Sequence, residues 1–399
     1  MSFFGNIYGK LVTDDIKGQE HAVDVDQWKR FLASLPEPRD CIDESFNKYC
    51  CRMQYFPKWK RLLLNLLAAV FLATRLPVLF DQAEPLPKMR KSVLLVERRR
   101  ALGYEDVIPD ELRKAYWVCE EVKQGGMAGT SMCMEARLLF RSLCRRRPIN
   151  FYFQLLVFKE LTIHSDWLRS FNPEATAVYA NERNVASPML TQLYEESGRH
   201  YVSFMHGEYL LHLVQAYMRF STYYVWSEHY VHMFSEELKC DRSQFVVYMP
   251  GKLKKKWHLE EVQPGFDYTY YFSAESRRSI ECLAQLFSAL EVRGLRCKVR
   301  PHPRYSHTEF IKDIFSHVIV EDPDVTTLEE SLGDTRYAVG LATTVLTEAY
   351  VEGRGVVIDD LSSPELFEDA RRRHAACLER GHLLLSECAK ACGVIKNNM

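Results

Sequence analysis

YTYYF (Tyr268–Phe272), ESRRSIECLAQLFSALEVR (Glu275–Arg293) and RCKVR (Arg296–Arg300) follow one another almost without a break. The first and third are short runs rich in β-branched and aromatic residues. The second places Ile280, Leu283, Ala284 and Phe287 on one helical stripe and stops at Gly294. Strand, helix, strand is therefore the expected order. The same alternation continues through Thr308–Phe315 (helix), Val318–Glu321 (strand), Thr327–Leu332 (helix), Tyr337–Leu341 (strand), Thr344–Glu352 (helix) and Val356–Asp359 (strand). Five strands alternating with helices predict a doubly wound parallel sheet with helices on both faces.

Upstream, the turn-rich basic run Pro250–Lys256 reads as a linker. Before it, Ser92–Glu97, Thr176–Glu182, His200–Met205, Tyr223–Ser227 and Phe245–Met249 read as strands. Pro188 opens a helix that ends at Gly198, between two of them. Pro109-Asp110 opens the amphipathic stretch ELRKAYWVCEEVKQ, read as helical, and Met132–Leu161 reads as two helices broken near Pro148. The fold class is thus α/β with two Rossmann-like lobes. We divide the chain into a mostly helical N-terminal region (1–90), a first α/β lobe (91–250), a second α/β lobe (257–362) and a C-terminal tail of two helices (363–399).

The 399 residues carry 52 Lys+Arg against 53 Asp+Glu, a net charge of −1, which excludes a globally basic nucleic-acid binder. Twelve scattered cysteines without a CxxC read as reduced thiols of a cytoplasmic protein, not as zinc ligands. MSFFGNIYGKLVTDD has no basic segment followed by an apolar one, so no secretory signal is expected. Leu62–Thr74 is uncharged but shorter than the roughly 20 residues of a spanning helix. We read it as a buried helix of the first domain. The alternative is an interfacial anchor at the inner face of a membrane, flanked by KWKR and Arg75.

Ligands of parallel α/β sheets lie beyond the carboxyl ends of the strands, and with two lobes in the cleft between them. Three predicted strands end in functional chemistry. HYVSFM is followed by His206-Gly207-Glu208, a base candidate and a carboxylate flanking a glycine. KVR is followed by Pro301-His302-Pro303-Arg304, where two prolines hold a histidine beside Arg300 and Arg304, an arrangement suited to a phosphate. AVGLA is followed by Thr343-Thr344, hydroxyls able to cap a helix whose free amides attract anions, with Glu348 one turn in. Glu182 and Asp322 are further strand-end acids. The bland alternatives are a capping histidine in a tight turn for His206, a rigid loop with a solvated arginine pair for Pro301–Arg304, a plain helix cap for Thr343-Thr344, and turn formation for Glu182 and Asp322. GxGxxG, GxxxxGK[ST] and GxSxG are absent, which disfavours nicotinamide, P-loop and α/β-hydrolase sites. Asp24-Val25-Asp26 has a DxD spacing but lies far from any predicted strand end.

RPHPR, the later TTVLTEA and the GRGVVID strand resemble the second lobe of bacterial capsule and surface-polymer glycosyltransferases of GT-B type. They look most like the sialyltransferase and polysialyltransferase group, with His302-Pro303 as the HP motif and Thr343-Thr344 as the Ser/Thr motif. His206-Gly207 is similar to a turn of the teichoic-acid polymerases. The resemblance spans roughly residues 170–360. It implies an inverting, metal-independent transferase, with no cofactor beyond a nucleotide-sugar donor, CMP-linked and sialic acid-like. The acceptor would be a glycan or lipid-linked glycan of capsule or lipopolysaccharide, and no nucleic acid partner is implied. Arg300, His302, Pro303, Arg304, Thr343, Thr344 and Glu348 would bind the donor. The sialyltransferases' acidic first-lobe motif has no clean copy, so His206, Glu182 or Glu208 would stand in as base. Lys252–Lys256 or Arg145–Arg147 could hold a polyanionic acceptor or a membrane surface, whereas Arg371–Arg373 reads as a solvated face. Alternatives are a CDP- or UDP-donor polymer transferase, a non-catalytic assembly factor of the same form, and a sugar-nucleotide epimerase.

Overall fold

The computed structural model describes residues 24–75, 93–96, 108–115, 119–121, 132–146, 148–170, 176–178, 181–254, 257–341 and 343–394. They form two units. The first comprises Met1–Gly207 and Leu211–Pro250, the second Glu208–Leu210 and Gly251–Met399.

In the first unit, the described residues begin with three helices: α1 (Val25–Ser34), α2 (Cys41–Met53) and α3 (Lys58–Arg75). The Asp24 carboxylate accepts the Asp26 amide at the start of α1, so the DxD spacing serves a helix cap. Next come β1 (Val93–Val96), α4 (Asp110–Ala115), β2 (Cys119–Glu121), α5 (Met134–Arg145), α6 (Phe151–Ser170), β3 (Ala177–Val178), α7 (Ser187–Glu196) and β4 (Tyr201–Phe204). β5 (Thr222–Val225), α8 (Glu228–His232) and β6 (Phe245–Val247) complete it. The strands form one parallel sheet in the order β2-β1-β3-β4-β5-β6. Read as one amphipathic helix, ELRKAYWVCEEVKQ instead gives a short helix and the edge strand β2; its central residues 116–118 lie outside the described residues. Aromatics run through the core in ring contact: Tyr194–Tyr201 at 5.2 Å, Tyr201–Phe220 and Phe220–Tyr223 at 5.3 Å each. In this unit they fill the interior.

Helix α3 is not buried all round. Lys60, Leu64 and Ala68 face inward, while Trp59, Leu62, Leu66 and Val70 are exposed. The expectation of a buried helix therefore holds for one side only. The apolar residues of this stretch surround the helix, and its neighbours cover part of the circumference.

The second unit contains β7 (Phe266–Tyr271), α9 (Arg277–Val292), β8 (Cys297–Arg300), α10 (Thr308–Ile314), β9 (Ile319–Val320) and α11 (Leu328–Gly333). It continues with β10 (Thr335–Gly340), α12 (Val345–Val351), β11 (Gly355–Ile358), α13 (Pro364–Arg372), β12 (Leu383–Leu384) and α14 (Leu385–Ala391). The sheet order is β12-β11-β10-β7-β8-β9, all parallel. Side-chain alternation feeds two cores. Tyr268, Tyr270, Cys297 and Val299 join Ile280, Leu283 and Phe287 of α9 on one face. Tyr271, Ala338 and Ile358 join Leu346 and Ala349 of α12 on the other. Ser276 caps α9, and Gly294 at φ +85° closes it, a conformation that costs a residue with a Cβ. The tail was expected to hold only helices, but β12 adds a sixth strand beside β11. Two residues are too short a run to show a period in the sequence.

Candidate functional site

In the second sheet the strand order reverses between β7 and β10, with β8 on the other side of β7. This reversal is where parallel α/β sheets open a crevice for ligands. The exits of β8 and β10 carry His302 and Thr343-Thr344, so chain topology brings these sequence candidates to one sheet edge. Gly340, the last residue of β10, lets Thr343 fold back over the strand end: a Cβ there would stand 3.0 Å from Thr343 Cγ2 and 3.2 Å from the Tyr271 carbonyl oxygen.

His302 is held on three sides. Its amide donates to Ser306 Oγ at 2.7 Å, and Ser306 Oγ donates to the Ser273 carbonyl at 3.1 Å, which ties the PHPR loop to the exit of β7. Arg304 N–H donates to His302 Nδ1 at 3.0 Å, and the Tyr305 ring lies 4.6 Å from the imidazole. An amide can only donate, so Nδ1 is the acceptor and the neutral ring carries its proton on Nε2. Partial burial, and then the charge of Arg304, push the imidazole below its ordinary pKa, which favours that neutral form. The result is a fixed Nε2–H donor. Pro303 and Arg304 are exposed.

Arg300 is not the open phosphate clamp the sequence suggested. It shares a face of β8 with Lys298, and its Nη1 donates to Glu321 Oε2 at 2.8 Å while Lys298 Nζ meets Oε1 at 2.9 Å. Ser331 Oγ adds a third hydrogen bond to Glu321 at 2.5 Å. Burial raises the pKa of Glu321, but the bonds from Ser331, Arg300 and Lys298 outweigh it and hold the carboxyl below its ordinary value. Glu321 was invisible as a site residue, although the VIVED run put an acid beside the exit of β9. Asp322, the neighbour weighed instead, accepts the Asp324 amide and forms a turn.

Thr343 Oγ1 accepts the Val345 amide at 3.3 Å, whereas Thr344 makes no side-chain cap bond and stays exposed. Only one of the two hydroxyls therefore caps α12. Glu348 lies half-buried in its first turn. Glu208, grouped with His206 in the sequence, packs in the second unit. Its carboxylate accepts from Thr347 Oγ1 of α12. Burial raises its pKa, and the Thr347 bond and the charge of Arg380 oppose the rise. A carboxyl engaged this way is a poorer stand-in for a first-lobe base than the sequence suggested. Asp359, at the exit of β11, accepts the Tyr270 hydroxyl at 2.8 Å and the amides of Leu361 and Ser362.

In the first unit, the reversal falls between β1 and β3. Glu182 lies just beyond β3, is buried, and its Oε2 has no hydrogen-bond partner among the described residues. His206 follows β4 and is half-buried. Lys255, Lys256 and Arg147 lie outside the described residues, which cuts short both expected basic patches. Arg146 is paired with Asp40 and Asp43. Arg373 is buried against Asp369, so Arg371–Arg373 is not a wholly solvated face.

No family model and no curated protein matches the chain. Solved structures similar to it include the wall teichoic acid polymerase TagF, at 11% identity and a TM-score of 0.42 over 86% of this chain and 89% of that one. The lipopolysaccharide outer core galactosyltransferase WaaB is similar at 13% identity and 0.39, over 68% and 81%. A glycosyltransferase from Rickettsia africae is similar at 10% and 0.38, over 78% and 100%.

Proposed function

We propose that the protein is an inverting glycosyltransferase that moves a sialic acid-like sugar from a CMP-linked donor onto a surface glycan such as capsule or lipopolysaccharide. The observation that carries this reading is the Arg304 N–H···Nδ1 bond of His302, which leaves an Nε2–H donor at the reversal point of a parallel sheet. As the sugar leaves, negative charge grows on the departing phosphate, and a fixed neutral donor stabilises that charge more than it stabilises the intact donor. The Thr344 hydroxyl, unused by the helix cap, is a second donor for the same charge. The acceptor oxygen bonds to the anomeric carbon as its bond to the phosphate oxygen breaks, and the acceptor proton passes to a base. Glu182 suits that role through its unbonded oxygen, with His206 as the other candidate. A CDP- or UDP-linked donor is the second reading, because the same groups would meet either leaving phosphate.

The test is thermal unfolding with CMP, CDP, UDP, GDP and ADP in turn. Saturating CMP is expected to raise the Tm, at a hundredfold excess over Kd by the equivalent of about 2.7 kcal/mol. His302→Ala is expected to abolish the shift without lowering the ligand-free Tm. A shift with CDP or UDP alone moves the donor to the second reading, and no shift with any nucleotide overturns the donor site.

A further inference from the structure

Helix α3 packs on α6, where Tyr152 N–H donates to Asn65 Oδ1 at 3.1 Å. On the far side, Trp59, Leu62, Leu66 and Val70 recur at helical spacing and are 64%, 64%, 59% and 65% exposed. At 100° per residue these four lie within about 80° of one another, and Leu63, Ala69 and Ala73 fall beside them. No charge interrupts this arc. In the corner before α6, Ile149 and Phe151 are exposed as well, Phe151 next to the Tyr152 that bonds to α3.

We propose that this face lies in the headgroup boundary of an anionic lipid bilayer. Charge selects that occupant. Lys58–Arg75 contains no carboxylate, and its charges are all cations: Lys58, Lys60 and Arg61 at one end, Arg75 at the other. Lys60 is buried over the Phe56 ring, whereas Lys58 is exposed. Arg141 and Arg145 of α5 are exposed as well, the latter four residues before Ile149. Against a second copy, a parallel or an antiparallel α3 pair sets cation against cation, with no acid on the helix to answer it. A layer of lipid phosphates answers every one of them while the apolar arc enters the acyl boundary. The helix lies flat in this arrangement, because no helix among the described residues is long and apolar enough to cross a membrane. The inference does not depend on the transferase reading.

Co-sedimentation of the full chain with vesicles tests it. Binding is expected to phosphatidylglycerol–phosphatidylcholine vesicles and to weaken at high salt, with little to phosphatidylcholine alone. The exposed double substitution Leu62→Glu/Leu66→Glu is expected to lower the partition coefficient about tenfold or more, and Lys58→Glu to lower it less. Brominated lipid is expected to quench tryptophan fluorescence in the native chain and markedly less in Trp59→Phe. Failure of the native chain to bind anionic vesicles overturns the proposal, as does equal binding by the double variant. A lipid-free dimer that the double variant dissolves, or a lipid-free Tm loss of several degrees in that variant, assigns the face to a second copy or to the chain's own core instead.

Discussion

Two of the buried lysines, one in each unit, are stabilised in opposite ways. Lys298 in the second unit meets the Glu321 carboxylate at 2.9 Å and Asp334 at 3.5 Å, and Arg300 completes the cluster. Lys48 in the first unit donates only to the carbonyls of Val214 and Ala216, at 3.0 and 3.2 Å. Burial lowers its pKa from 10.5 to about 8, and the nearest acids and thiols only partly offset it. The first cation is answered by a carboxylate that ties β8 to the exit of β9. The second, answered by carbonyl dipoles, sits near the pH at which it gives up its proton.

The largest effect is expected from removing the answering charge. Glu321→Gln leaves Lys298 and Arg300 side by side beneath the exits of β8 and β9. Breaking a buried pair in this way costs roughly 3–5 kcal/mol. Denaturant unfolding measures it. A loss below about 1 kcal/mol would erase the contrast, by showing that water reaches both cations in the native state.

Lys48→Met sharpens the same contrast. The substitution removes a buried charge but orphans two carbonyls, so the net change at pH 7 is expected within about 2 kcal/mol of zero. The pH profile is more telling. Because the folded pKa is depressed, the unfolded chain binds more protons between pH 8 and 10.5, and stability rises with pH across that window. The native chain is expected to gain up to about 3 kcal/mol relative to Lys48→Met from pH 8 to 10.5. Parallel profiles for the two chains would place the Lys48 ammonium in water.

The same division governs what the sequence reveals. The second sheet was legible because several of its strands and helices are apolar runs that end in a breaker: Gly294 after α9, Pro301 after β8, Asp359 after β11. His302 and Thr343 were legible because prolines and hydroxyls at strand exits have local signatures. Arg300 misled because its partner, Glu321, lies on another strand, and sequence spacing does not show which face of β8 turns inward. Lys48 carried no signal, since the carbonyls that hold it, of Val214 in the turn Leu213–Gln215 and of Ala216 just after it, lie far along the chain. Strand β3 is described over Ala177–Val178, against the seven residues read from TAVYANE, of which 179 and 180 lie outside the described residues.

Glu208 is the smallest and most diagnostic test. Its carboxyl is raised by burial and lies in hydrogen-bond contact with Thr347, whereas that of Glu321, in the same unit, is lowered. A raised folded pKa contributes stability below the unfolded value near 4.5, and that contribution is lost as pH rises through the folded pKa. Above its folded pKa the ionised carboxylate is therefore a mild liability that an amide of the same shape avoids. Glu208→Gln is expected to raise the Tm at pH 7 by no more than about 2 °C and to leave it unchanged at pH 4. A fall at pH 7 would instead mean that the charge is answered in the native state, with Arg380 as the cation to remove next. Glu208 would then join Glu321 as a carboxylate fixed by its partners.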